Sequence, residues 1–256
     1  MKAVALELYK LRRKRLLPMT VLFLGVEIAW AFAAAARSMA RQSGPAGWEP
    51  VLAALASMNG LFLPILTAVC VSRICDMEHK GNTWKLLYTL SVRRSGLYAA
   101  KFAAAAAVML AACLVQTAAV AVFGISRGFG PPLPFALLAR FFAGAALPTL
   151  VIIALQQWVS MAAKNQTFAL ALGMIGGFIG LAADFLPQGA GAFFAWAYYT
   201  GLSPVVVDYG AAAAGTGPPL FTVTDAGASL AGMAWLSAAG AILCLAGNLH
   251  VSRREV

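Results

Sequence analysis

The residues able to do chemistry in this chain are few, and each stands out against an apolar background. Glu27 lies midway along an uncharged run, where an ionisable group is costly and marks a functional site by default. Asn59 with Pro64, and Gln156 and Gln157 with Pro148 upstream, are further polar or kinked points in apolar runs. They read as lining a cavity, or as satisfying backbone groups freed at the kinks. The four cysteines, Cys70, Cys75, Cys113 and Cys244, and the two histidines, His79 and His250, lack metal-ligand spacing, so no metal site is expected. No G-x-x-x-x-G-K-[ST], H-E-x-x-H or G-x-S-x-G occurs, which removes a phosphate-binding loop, a zinc protease and a serine-hydrolase elbow.

The elements that hold these residues follow from composition. Of 256 residues, 61% are hydrophobic and only 11% are charged. A soluble domain carries about 25% charged residues. The mean hydropathy of +0.81 agrees, and an all-α integral membrane protein is the expected class. Charges bracket six runs of spanning length, 17–36, 51–72, 102–126, 141–163, 165–183 and 226–249. The runs are continuous rather than alternating, which argues against barrel strands. A seventh uncharged stretch, 185–207, is broken by Pro and Gly and holds Phe193, Phe194, Trp196, Tyr198 and Tyr199. It reads as an aromatic interfacial or re-entrant segment within an outer loop at 184–225. The first span exceeds a signal-peptide core and is expected to stay uncleaved.

Basic residues orient the chain. Of nineteen Lys and Arg, Arg37, Arg41, Arg127 and Arg140 fall on one side and the other fifteen on the opposite side. The positive-inside rule then places both termini in the cytoplasm. The net charge of +10 is read as this orientation signal, and no nucleic-acid partner is expected.

Three segments carry patterns beyond topology. Residues 1–16 form a basic amphipathic helix, with Glu7, Lys10, Arg12 and Arg13, suited to lie on the membrane as an elbow. The loop 73–101 is the largest cytoplasmic element. Asp76, Glu78 and His79 can prolong the second span, Gly81 suits a C-cap, and Thr83 or Asn82 an N-cap. Trp84, Leu87 and Tyr88 then form an apolar stripe on a second short helix, which either lies on headgroups or docks on a cytoplasmic protein. In the fifth span Gly173, Gly176, Gly177 and Gly180 make two overlapping G-x-x-x-G spacings. They allow close helix packing, within the subunit or between two subunits.

The order of these parts resembles the permease subunits of ABC transporters of the exporter (type-2) class. The local match is Glu7-x-x-Lys10-x-Arg12 and the run Asp76 to Lys101, with Gly81, Thr83, Trp84, Leu87, Val92, Arg93 and Lys101 in the family's order. Ser91 stands where many such permeases have Pro. The glycines of the fifth span, followed by Leu186-Pro187 and Ala195 to Tyr198, look most like the branch giving immunity to lantibiotics and other bacteriocins. The resemblance implies that 83–90 is a coupling helix docking on a separate ATP-binding subunit. That subunit would bind ATP and Mg, and this chain no cofactor. It implies a second permease subunit, alike or different, contact with membrane lipids, and residence in a bacterial cell membrane. The whole of 1–256 would be one transmembrane permease domain that exports an amphipathic or hydrophobic peptide, drug or lipid. Two other classes remain open from the residues: an intramembrane enzyme built on Glu27, and a non-catalytic assembly or sensor protein.

Overall fold

The structure, a computed structural model, describes residues 2–13, 15–41, 47–81, 94–130, 132–163, 165–186, 190–210, 214, 220–224 and 230–253. Helix α1, Lys2–Arg13, is followed closely by α2, Leu16–Arg41. Arg15 takes φ 53° there, a left-handed conformation that costs a side-chain-bearing residue roughly 1 kcal/mol. Pro18 follows in the first turn of α2, where its missing N–H has no helical partner to lose.

Helices α3, Glu49–Gly81, and α4, Arg94–Ser126, each run 33 residues. That is roughly 50 Å at 1.5 Å per residue, well beyond a hydrocarbon core of about 30 Å. Both therefore project past the apolar zone at the end that carries residues 82–93. The expected prolongation of the second span through Asp76, Glu78 and His79 is what α3 does. The third run starts earlier than expected, at Arg94. The expected short helix at 83–90 falls outside the described residues.

Helix α5, Phe135–Ala162, follows with Pro148 inside it, and α6, Thr167–Leu181, is next. The chain then passes through three 3-10 turns, Ala183–Phe185, Ala190–Phe193 and Ala195–Ala197, and one helical turn, α7, Tyr198–Gly201. Two strands follow, β1, Val205–Asp208, and β2, Leu220–Val223, before α8, Leu230–Arg253. The strands pair antiparallel with Val205 opposite Val223 and Asp208 opposite Leu220. This hairpin is an addition to the all-α expectation. Its signal is the short β-branched run Val205 to Val207, far below spanning length. Of the loop expected at 210–219, residues 211–213 and 215–219 lie outside the described residues.

Among the described residues, five helices are long and apolar enough to cross a membrane: α2, α3, α4, α5 and α8. The chain is a multi-pass membrane protein. The fifth expected run is the 15-residue helix α6, about 22 Å long. The expected aromatic interfacial cluster divides. Phe193 is 88% exposed, while Tyr199 is buried in the bundle and Trp196 packs against α6.

Helix α3 is the hub. It packs on α2, α5 and α6 and is the most buried of the long helices, while α8 is the least. Its contact with α6 is backbone on backbone. A Cβ on Gly180 would run into the carbonyl of Gly60, one on Gly60 into that of Gly180, and one on Gly177 into that of Leu61. One on Gly173 would strike Ala68. Gly176 faces the other way, where the Trp196 indole fills the space a Cβ would need. Small residues are the means by which two helices in lipid gain close van der Waals contact. Overpacking such a seam costs about 1–3 kcal/mol or more. Gly60→Leu and Gly180→Leu should each lower the thermal unfolding midpoint of the purified protein by several degrees, followed by circular dichroism. Gly25→Leu, where a side chain meets nothing within 4 Å, should leave it unchanged.

Candidate functional site

Two clusters of buried polar groups stand out, one at each level of the bundle. The first is at the end carrying 82–93. Lys101 on α4 is 0% exposed, yet its ammonium donates to Glu7 Oε2 at 3.2 Å and to the carbonyl of Ile74 on α3 at 3.0 Å. Glu7, also buried, accepts from Lys10 through its other oxygen at 2.8 Å. One cation thus ties α1, α3 and α4 together. The two attachment points on α3 and α4 flank the segment 82–93, which leaves α3 after Gly81 and rejoins at Arg94. Arg94 itself donates to the Ser252 carbonyl at the end of α8 at 3.4 Å, where a basic group suits a helix C-terminus.

The sequence-predicted residues divide around this pin. Glu7 and Lys10 are in it, and Arg12 and Arg13 close α1. Asp76 is half-buried two residues beyond Ile74, and Glu78, His79 and Gly81 form the last turn of α3. Thr83, Trp84, Leu87 and Tyr88 lie outside the described residues. Lys101 was readable only as the close of the loop, because nothing in sequence pairs it with a residue 94 positions earlier.

The second cluster lies mid-bundle. Glu27 on α2 is fully buried, and its Oε2 accepts from the Gln116 amide on α4 at 2.7 Å. Glu27 Oε1 and Gln116 Oε1 have no hydrogen-bond partner. The Thr149 hydroxyl on α5 donates to the Ala145 carbonyl at 2.8 Å. Its single proton is then spent, so the Tyr199 phenol must donate to Thr149, at 2.9 Å. Cys113 is within hydrogen-bonding reach of Thr149, and Cys113 and Glu27 are both electrostatic neighbours of Tyr199. Side chains from α2, α4, α5 and α7 therefore converge.

The other polar points serve packing. Gln156, with its amide oriented to satisfy both ends, donates to the Ala169 carbonyl at 2.9 Å and accepts from the Gly173 N–H at 3.1 Å. It thereby stitches α5 to α6. Gln157 donates to the Tyr98 carbonyl at 2.8 Å, stitching α5 to α4. Asn59 is buried on α3 with its Oδ1 unpartnered. At the opposite end, Ser57 donates to Asp184 at 3.2 Å. Partial burial, and then the Asp184 carboxylate, push the Tyr209 phenol above its usual range. Gln116, Thr149 and Tyr199 were missed in sequence. The available signal was a lone Gln in an apolar run at a depth matching Glu27. Among the described residues no group of His, Cys, Asp and Glu is arranged to hold a metal ion.

The profile described as ABC-2 family transporter protein matches residues 3–180, more than half of the chain. The chain belongs to this family. It is a permease component of an ABC transporter, a membrane transport part that normally works with an ATP-binding subunit. The matched stretch runs from α1 almost to the end of α6, so it contains the Lys101 pin, the segment 82–93 and the Glu27–Gln116 pair. No curated protein matches the permease significantly.

The pin makes a quantitative demand. Removing one member of a buried ion pair strands the other and costs about 3–5 kcal/mol, whereas replacing both with apolar groups is often neutral. Glu7→Gln and Lys101→Met should each destabilise the permease strongly. The double variant Glu7→Leu with Lys101→Met should recover most of the loss. A thermal-unfolding double-mutant cycle in detergent checks this.

Proposed function

We propose that this permease works in an ATP-driven exporter of the type-2 class and moves an amphipathic or hydrophobic substrate, such as an antimicrobial peptide, drug or lipid, out of the membrane or cell. The observation that carries the reading is the Lys101 pin, in a chain of the ABC-2 family. It fastens α1 to both stems of the segment 82–93, which is where a push from a soluble partner would enter. Thr83, Trp84, Leu87 and Tyr88 form the docking surface on the separate ATPase, and Asp76, Glu78, His79 and Gly81 belong to the stem that carries it. ATP and Mg stay on the partner subunit.

In this reading α6 is the sixth crossing. Both termini face the cytoplasm, and the aromatic segment before α8 faces outward in a bacterial cell membrane. Two permeases, alike or different, complete the pathway. The run from the α6 glycines to Tyr198 supports a role in bacteriocin immunity. Glu27 and Asn59 lie toward the pathway, whereas Gln156, Gln157, Gly173, Gly177 and Gly180 serve packing inside the subunit.

Trp84→Glu and Leu87→Glu should abolish co-purification of the ATPase subunit while leaving the permease folded. Undiminished co-purification would contradict the docking assignment.

A further inference from the structure

The Glu27–Gln116 pair sits in a seam with two properties. Helix α2 rests mainly on α3 and touches α4 only thinly. The seam is closed by the Phe32–Phe123 ring pair, with centroids 4.3 Å apart, and by the 2.7 Å bond from Gln116 to Glu27. On the same stretch Val26 and Trp30 of α2, and Leu114 and Val115 of α4, are exposed. The buried pair is thus one residue around each helix from an apolar outer surface.

The chemistry of the pair is unbalanced. Glu27 receives one amide donor, and its second oxygen and the Gln116 oxygen are unpartnered. The described groups near it are Gln116 and Cys113 from α4 and Tyr199 from α7, with Thr149 of α5 behind Tyr199; none carries positive charge. Tyr199 already gives its proton to Thr149. With the Glu27 carboxyl ionised, acceptors exceed donors, and a protonated amine supplies what that state lacks: several N–H donors and one compensating charge.

We propose that Glu27 and Gln116 form a recognition site for the ammonium group of a cationic amphiphile, which reaches it from the lipid through the α2–α4 seam. The two oxygens take the ammonium, and the alkyl part lies along Val26, Trp30 and Val115. The inference rests on the transport reading and names the substrate class for it. Binding to the permease needs no ATPase, so failure here leaves the docking assignment untouched.

Trp30 provides the reporter, one turn from Glu27 on the same helix. The full chain in lipid nanodiscs is titrated with a decyl chain bearing a primary ammonium at one end and a dansyl group at the other. Energy transfer from Trp30, isolated by comparison with Trp30→Phe, should saturate. The hydroxyl analogue should bind at least about tenfold more weakly, a difference of about 1.4 kcal/mol. Glu27→Gln should weaken amine binding to a similar degree. Gln116→Glu adds a second carboxylate and should tighten it, and this decides the matter if Glu27→Gln does not fold. Equal binding of amine and alcohol, unchanged binding in Glu27→Gln, or unchanged or weaker binding in Gln116→Glu would overturn the proposal.

Discussion

A positive charge held in an apolar interior must be given partners by the chain itself, and Lys101 obliges three helices to meet. Its ammonium needs the Glu7 carboxylate and the Ile74 carbonyl. The first fixes the position of α1, and the second fixes α4 against α3. Arg15, in a left-handed conformation between α1 and α2, belongs to the short connection that joins the Glu7-bearing helix to the first long one. A surface ion pair would do little of this, since exposed pairs contribute about 0–1 kcal/mol and hold no geometry. Burial is what turns the contact into a joint.

From that joint the rest of the subunit is arranged by a second kind of contact. Between α3 and α6 backbone meets backbone at Gly60 and Gly180. In lipid there is no hydrophobic drive to bring helices together, so dispersion over a close seam does the work. The face of α6 turned from α3 receives Trp196, and Tyr199 descends to Thr149. The segment after α6 is thereby anchored as a cap. The polar pair Glu27 and Gln116 lies below that cap, where α2 leans on α3 more than on α4.

Much of this was legible in the sequence, for physical reasons. A helix in hydrocarbon must be long, continuous and nearly uncharged, so every long helix was found from charge spacing alone. The projection of α3 past Ser72 was readable from Asp76, Glu78 and His79, whose types suit a solvated helical turn. The glycine spacing announced a close contact but not its partner, because Gly60 carries no signal until α6 lies on it. Pairings distant in sequence were invisible. Glu7 with Lys101 and Glu27 with Gln116 each depend on which helices become neighbours, which no local pattern encodes. The hairpin of β1 and β2 was hidden for another reason: strands of four residues are shorter than any run that a membrane reading seeks.

The central claim is that the elbow helix and the stems of the segment 82–93 move as one body. It is tested most directly by distances between spin labels at Leu8→Cys and Ala99→Cys, both exposed positions. The measurement uses the assembled transporter with the native cysteines replaced, nucleotide-free and then trapped with ATP and vanadate. The account predicts one narrow distance that is the same in both states and broadens when Glu7→Gln is added. A distance that shifts with nucleotide in the intact protein, or stays equally narrow without Glu7, would contradict it.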